Sequence, residues 1–512
     1  QWADKNTIYA SLDIREGDLT ESGYPAVIYT IKRGQDLNKA EVLFRTQSSS
    51  VGSWIGQVGD TRKRYHSIYE GLTFYENNEF IINDNKLIKV VKPQTAEIRG
   101  IHKNLLFVQL KQDWTYNSRT YPSSAMIYAS MESVLNSNPK YQILAQNSKN
   151  KILKSISFTQ SDILLNWMVD VKSELESVSI DPSSDSKVEI TVKKINLPKN
   201  GSITIEDSTY TSDDVFITYE SFLKPTTLYL LDNQSLELTL LKRLPEFFNS
   251  ENLISQQRFA TSKDGTKVPY FVIHNKDIKL DGSNPTILYS YGGYEESITP
   301  YYSPTMGSNW LEQGGVYVVG NIRGGGEYGP QWHQAALKTN RHKAFEDFEA
   351  IAEDLIENKI TLPEHLGIFG ASNGGLLVGA ALTRRPKLFK AAVSLVPLLD
   401  MLRFHKLLAG ASWKAEYGDP DIPEERDYLA SYSPYHNLKK GISYPNVLII
   451  SSAKDDRVHP AHGRKMTAKM NEMGLDVLYI ENEDGGHSIG TNRRQRAHLA
   501  SLYYTFFREQ LK

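Results

Sequence analysis

No cysteine occurs among the 512 residues. That absence excludes disulfides, thiolate zinc sites and a cysteine nucleophile together. It leaves the compartment open, because a cysteine-free chain is at ease in either redox environment. Charge of one sign is also lacking: 58 Lys and Arg stand against 60 Asp and Glu, for a net charge of −2. With neither a basic field nor a basic run, nucleic acid and anionic membranes are not expected as partners. No stretch approaches the roughly 18 uninterrupted apolar residues of a membrane span. Nothing has metal-ligand spacing and no Gly-Lys-Ser/Thr closes a glycine loop, so neither a metal nor another cofactor is expected. The chain starts at Gln1 rather than methionine, and an original N-terminus with any targeting signal is expected upstream. The expected compartment is the cytoplasm, with the periplasm left open for that reason.

What is present is most informative at Gly370-Ala371-Ser372-Asn373-Gly374-Gly375, which follows the short apolar run 366–369. This is a G-x-S-x-G turn between a strand and a helix. Small residues on both sides let the backbone turn sharply and lift the serine hydroxyl clear of the sheet. Such a hydroxyl is useful only if a base can reach it. The strand-like run 444–450 ends in a segment holding Asp455, Asp456 and Arg457, and the run 475–480 ends in one holding Asp484, Gly486 and His487. Serine, acid and histidine thus follow in the triad order of α/β-hydrolases, each just past the C-terminal end of a strand. On spacing alone Asp455 and Asp456 are nearly even as the acid, with Asp484 third. His459 and His462 compete as bases on paper and are expected instead to cap or flank a helix at 463–473. One oxyanion donor is expected from the backbone N–H of Asn373, the residue after the nucleophile.

The two halves differ in texture. Up to about residue 250 the sequence shows short β runs broken by polar turns, at 26–31, 80–82, 105–110, 188–192 and 215–219. A faint repeat places Tyr29, Tyr128 and Tyr229 at intervals of 99 and 101 residues. A propeller blade takes roughly 40–50 residues, so the interval suits two blades per step, although plain cross-strand packing also accounts for it. From about Phe259 strands alternate with amphipathic runs such as 344–356, which implies a mostly parallel sheet covered on both faces. The expected boundary lies in the polar stretch 245–256, giving domains at 1–250 and 251–512.

From about residue 257 onward the chain resembles the catalytic domain of the prolyl oligopeptidase family of serine peptidases. The resemblance is carried by Ser262-Lys-Asp-Gly-Thr-Lys-Val-Pro-Tyr270, Tyr291-Gly-Gly-Tyr294, Asn321-Ile-Arg-Gly-Gly-Gly-Glu-Tyr-Gly329, the elbow at 370–375, Trp413-Lys-Ala-Glu-Tyr417, Asp455-Asp-Arg-Val458 and Gly486-His487. It implies an α/β-hydrolase catalytic domain, doubly wound with a mostly parallel sheet, preceded by an all-β propeller. In the family that propeller has seven blades and screens the site from large folded substrates. Some 250 residues hold about five blades, so a partial propeller is expected here, with upstream sequence missing.

Site residues follow from the resemblance. Ser372 is the expected nucleophile, His487 the base, and Asp455, rather than Asp456, the acid. Tyr291 is the second oxyanion donor. Trp413, 41 residues after Ser372, stacks on a substrate proline, with Tyr417, Tyr294, Leu398 and Val458 at other pocket positions. Arg457 bonds a substrate carbonyl upstream of that proline. Tyr294 and Leu398 stand where phenylalanine and valine are usual, and both changes narrow the pocket. Read without the family, Trp413 is a core residue, Arg457 an ion-pair partner of Asp456, and Tyr291 an ordinary aromatic at a strand end.

One motif points elsewhere. Gly324–Gly329 satisfies G-x-G-x-x-G after a strand, the dinucleotide fingerprint. The acids about 20 positions on, Glu346 and Asp347, fall inside the expected helix rather than at a strand end, so a scaffold turn is the better reading. The expected function is therefore cleavage of short peptides after proline, by a monomer working through an acyl-enzyme. The alternatives are a related oligopeptidase cutting after basic residues, for which Glu416 and Asp400 are the candidate carboxylates, an acylaminoacyl peptidase, and an inactive propeller interaction protein.

Overall fold

Period-two alternation broken by glycine, asparagine and aspartate turns makes strands, not helices, of the first half. The computed structural model describes residues 1–60, 63–84, 86–181 and 189–512. It forms five four-stranded antiparallel sheets at 2–45, 52–89, 97–145, 151–195 and 202–243. Tyr29, Tyr128 and Tyr229 each lie on the third strand of their sheet, in the first, third and fifth sheets. The faint repeat is thus a step of two sheets between equivalent places. Of the expected run 188–192, Val188 lies outside the described residues and the rest belongs to the strand Glu189–Ile195.

The second half builds one eight-stranded sheet. Its strands are β1 (Leu253–Thr261), β2 (Lys267–Asn275), β3 (Thr286–Ser290), β4 (Val316–Gly320), β5 (Leu366–Ala371), β6 (Ala391–Leu395), β7 (Asn446–Ser452) and β8 (Val477–Asn482). The spatial order is β1-β2-β4-β3-β5-β6-β7-β8, antiparallel as far as β4 and parallel from there on. Strand β1 begins inside the polar stretch that separates the halves in the sequence. It is an edge strand with only Leu253 and Ala260 buried, so it carries no apolar run.

Successive side chains of the central strands enter opposite apolar layers: Ile368 and Ala392 face one, Phe369 and Val393 the other. Helices α1 (His342–Glu357), α2 (Asn373–Arg384) and α3 (Ala461–Glu472) cover the first layer; α4 (Arg493–Leu511) covers the second. Helix α1 buries Ala344, Phe345, Phe348, Ile351, Ala352 and Leu355, the helical spacing visible in the sequence. The second layer runs on into the propeller through Ile152, Met168, Val171 and Phe222, so one apolar cluster spans both halves.

The glycine-rich turn 324–329 is packed against the loop that follows β3. A Cβ on Gly324 would lie 2.5 Å from the Gly292 carbonyl oxygen, and one on Gly326 would lie 2.2 Å from that of Glu295. Asp347, the acid at the ribose-binding distance, instead accepts from Arg323 Nε at 2.9 Å and Nη2 at 2.6 Å, both side chains being buried. The glycines serve backbone contact, as the scaffold reading expects.

Within this turn Glu327 accepts from the Ile298 N–H at 2.9 Å and from Asn321 Nδ2 at 3.2 Å. Burial pushes its carboxyl up from 4.5 to about 7. The folded chain therefore holds this proton more tightly than the unfolded chain. Stability is full below pH 4.5 and declines as pH rises through 7, by about 3 kcal/mol. Glu327→Gln is expected to remove this component, so that its melting temperature falls less than the wild type's between pH 5 and 8. Parallel melting curves would refute the assignment.

Candidate active site

Ser372 sits between the end of β5 and the start of α2 with φ 58° and ψ −117°. A non-glycine residue keeps such a backbone only where its surroundings hold it. Its N–H donates to the Leu395 carbonyl at 2.8 Å, which anchors the turn to β6. Gly370 allows the turn to close, since a Cβ there would lie 2.2 Å from the Gly374 carbonyl oxygen.

His487 lies on the loop after β8, which is tied down by the Ser452 hydroxyl on the Gly485 carbonyl and the Asn482 amide on the Ile489 carbonyl. His487 Nε2 is 3.0 Å from Ser372 Oγ, and Nδ1 is 2.8 Å from Asp455 Oδ2. A carboxylate only accepts, so Nδ1 carries the proton in the neutral imidazole and bare Nε2 faces the serine. The other oxygen of Asp455 accepts the N–H groups of Arg457 and Val458, each at 2.9 Å, which fixes the carboxylate's aim. Asp455 is buried, whereas its rival Asp456 is exposed and does not meet His487.

The competing histidines have other partners. His459 Nδ1 accepts the Ala461 N–H at the head of α3. His462 lies within that helix, buried, with Nδ1 accepting the N–H groups of Leu399 and Asp400. The helix begins at Ala461, two residues ahead of its expected start, so His462 serves as an internal anchor and not a flank.

Asn373 is the first residue of α2, and its N–H has no acceptor within the helix. Tyr291 follows the end of β3. Burial pushes its phenol up to about 12. The Asn373 amide donates to the Tyr291 carbonyl at 2.7 Å, and its oxygen accepts from the Tyr417 hydroxyl at 2.9 Å and from Arg341.

The expected pocket residues fall in one apolar cluster. Leu398, Tyr417 and Val458 are buried there, and Tyr294 and Trp413 pack against it half-buried. The rings of Tyr294 and Tyr417 meet edge-on at 5.9 Å. Arg457 is exposed and, among the described residues, in no ion pair, so the pairing with Asp456 suggested by the sequence does not form.

Glu416 and Asp400, the candidate carboxylates of a basic-specific pocket, are both engaged. Glu416 is buried against Arg341 at 2.6 Å and His333 at 2.9 Å, and Asp400 pairs with Lys465. Sequence reasoning missed Arg341, His333 and Tyr75, another group on Glu416. The available signal was an acid lying directly between pocket residues in Trp413-Lys-Ala-Glu-Tyr417, which demands a buried partner. The fold also gathers His405, Asp419 and Asp421 within 4.8 Å of one another, a grouping hidden in the linear spacing. Lys406 and Lys414 already sit 3.5 and 3.0 Å from the two carboxylates, so the cluster needs no added cation.

A serine elbow at the end of a central parallel strand, with histidine and acid on the loops of later strands, defines the α/β-hydrolase class. Comparison with known proteins narrows this. The profile of the prolyl oligopeptidase family matches residues 302–512, and that of the prolyl oligopeptidase N-terminal beta-propeller domain matches 2–243. An uncharacterized peptidase of Sinorhizobium fredii is 41% identical over 519 residues, taking in 100% of this chain and 71% of the relative. The prolyl endopeptidase of Elizabethkingia meningoseptica is 41% identical over 309 residues, 59% of this chain and 44% of that one. Among solved structures, a post-proline cleaving enzyme from Rickettsia typhi superposes with a TM-score of 0.94 at 35% identity, covering 100% of this chain and 74% of that one. The chain belongs to the prolyl oligopeptidase family.

The elbow geometry can be tested apart from substrate. Gly370→Ala is expected to abolish labelling of Ser372 by a fluorophosphonate, whereas Gly56→Ala, at a glycine where a Cβ would meet nothing closer than 3.5 Å, leaves labelling intact. Unchanged labelling of the Gly370 variant would refute the close approach.

Proposed function

We propose that the chain is a serine peptidase that hydrolyses short peptides on the carboxyl side of proline. The observation that carries this reading is the unbroken contact from Asp455 through His487 to Ser372. In the first step Ser372 Oγ bonds to the scissile carbonyl carbon as its proton passes to His487 Nε2. Asp455 holds the imidazole tautomer and offsets the charge of the imidazolium. The carbonyl oxygen, now anionic, accepts from the Asn373 N–H and the Tyr291 hydroxyl. Collapse breaks the C–N bond, and His487 returns its proton to the leaving amine. Water then gives a proton to His487 and attacks the acyl carbon; the C–Oγ bond breaks and His487 returns the proton to Ser372 Oγ, which releases the acid product.

Specificity has a physical basis. Proline is flat-faced, rigid and apolar and has no N–H, so its pocket needs aromatic faces and no polar group in want of a partner. Trp413 and Tyr294, both half-buried, supply the faces, while Tyr417 is fully enclosed and its hydroxyl is already committed to Asn373. The free guanidinium of Arg457 is the proposed donor to a substrate carbonyl upstream of the proline.

Two chromogenic peptides, one ending Gly-Pro and one ending in arginine, separate the readings. Turnover of the prolyl peptide is expected. Turnover of the arginyl peptide alone would move the assignment to a basic-specific relative, and no turnover with no fluorophosphonate labelling would overturn peptidase chemistry. Asp455→Asn is expected to lower kcat by about 10⁴-fold, since the imidazole is then offered the wrong tautomer. Asp456→Asn should leave kcat near the wild-type value, and equal losses in the two variants would refute the choice of acid.

A further inference from the structure

Glu416 is fully enclosed, yet its donors come from distant parts of the chain. Its Oε1 accepts from Arg341 Nη1 at 2.6 Å and from the Tyr294 N–H at 3.2 Å. Its Oε2 faces His333 Nε2 at 2.9 Å and the Tyr75 hydroxyl. Because a carboxylate only accepts, all four groups donate. Burial works against ionisation, but His333 and Arg341 hold the Glu416 carboxyl below its usual range. Three of these donors belong to the hydrolase half. Tyr75 does not: it lies on the turn between the second and third strands of the second propeller sheet, 341 residues away in sequence.

The contacts continue from Glu416 toward Ser372. Arg341 Nη2 donates to Asn373 Oδ1, and Asn373 Nδ2 donates to the Tyr291 carbonyl. Three side chains therefore join one propeller hydroxyl to both residues assigned to the oxyanion. The loop involved is in need of support. Tyr294 and Glu295 have φ of 59° and 58°, a left-handed pair that non-glycine residues hold only under constraint. Glu416 holds the N–H of the first. Lys111 of the propeller meets the carboxylate of the second at 2.9 Å, and the Phe74 ring packs edge-on against Tyr294 at 5.2 Å.

We propose that Tyr75 is a positioning residue: docked on Glu416, it sets Arg341 and the 291–296 loop so that Tyr291 and Asn373 present aligned oxyanion donors. The inference rests on the peptidase reading and deepens it, by making the oxyanion hole conditional on a seated propeller. When the propeller withdraws, Glu416 loses a donor in a poorly solvated site, and its remaining partners are free to shift toward it.

The test uses the full chain as wild type, Tyr75→Phe and Tyr75→His. Measured for each are kcat and KM on the Gly-Pro amide, the melting temperature, and inhibition by a peptide aldehyde ending in proline. The aldehyde carbon bonds to Ser372 Oγ and its oxygen takes the oxyanion's place. For Tyr75→Phe, kcat is expected to fall about tenfold, less than the roughly 100-fold of losing an oxyanion donor outright. Aldehyde binding should weaken by the same factor, with KM unchanged and the melting temperature lowered only by the loss of one buried hydrogen bond. Tyr75→His keeps an aromatic donor and is expected within about threefold of wild type in both measures, the lower end of what an ordinary hydrogen bond contributes. Wild-type kcat and aldehyde affinity in the phenylalanine variant would overturn the proposal, as would a loss confined to KM, or a histidine variant as impaired as the phenylalanine one. A wild-type protein that neither cleaves the amide nor binds the aldehyde would instead overturn the peptidase reading.

Discussion

The backbone of Ser372 is held where an L-residue does not rest by choice, and the chemistry depends on that constraint. A left-handed residue of this kind costs of order 1–3 kcal/mol. Against it stands the burial of α2, whose Leu376, Leu377, Val378 and Leu382 are almost fully enclosed between the sheet and its neighbours. Each such side chain contributes roughly 1.5–3 kcal/mol, so the helix outweighs the strain several times over. The elbow is therefore rigid rather than poised to relax. Its rigidity gives meaning to the 3.0 Å between Ser372 and His487, because a hydroxyl free to rotate away with its backbone would not keep that contact.

Buried charge performs a second positioning task. Arg323–Asp347 lies under the glycine-rich turn, and Arg341–Glu416 lies beyond the Tyr294 N–H. The 291–296 loop is caught between the two. Pairs this well enclosed lose in desolvation much of what they gain by attraction, so neither is a strong source of stability. Directional fixing of a loop that carries two left-handed non-glycine residues is a use an apolar pair could not match, since only hydrogen bonds prescribe where an N–H must point.

Much of this was legible in the residues, for identifiable reasons. Central parallel strands are buried on both faces, so β3 to β7 stand out as apolar runs, and the elbow is marked by glycines required for backbone contact. Strand β1 was not legible, because an edge strand with two buried residues is chemically indistinguishable from a polar linker. The triad's order was visible, but the choice between Asp455 and Asp456 was not a matter of spacing. It turns on which carboxylate receives the Arg457 and Val458 N–H groups, a property of the turn. Least legible was Tyr75. A tyrosine in a propeller turn has no local signature of the task proposed for it, because its contact forms only when a carboxylate 341 residues away comes to meet it.

The apolar cluster holding Trp413, Tyr294 and Tyr417, read as the proline pocket, would discriminate by what it leaves unpaired. An arginine entering it would gain roughly 0.8 kcal/mol for each methylene buried, about 2 kcal/mol for its stem. Its guanidinium would then need a carboxylate. Glu416 is occupied by Arg341, His333, Tyr75 and a backbone N–H, and Asp400 by Lys465. Burying a charge without a partner costs several kcal/mol, more than the stem returns. A proline ring makes no such demand: on the proposed reading it rests against Trp413 and leaves the enclosed Tyr417 and Glu416 with the partners they already have. On the proposed reading, selectivity of this sort follows from the prior commitment of nearby charges as much as from the aromatic side chains, and the network proposed to align the oxyanion donors would also exclude a basic side chain.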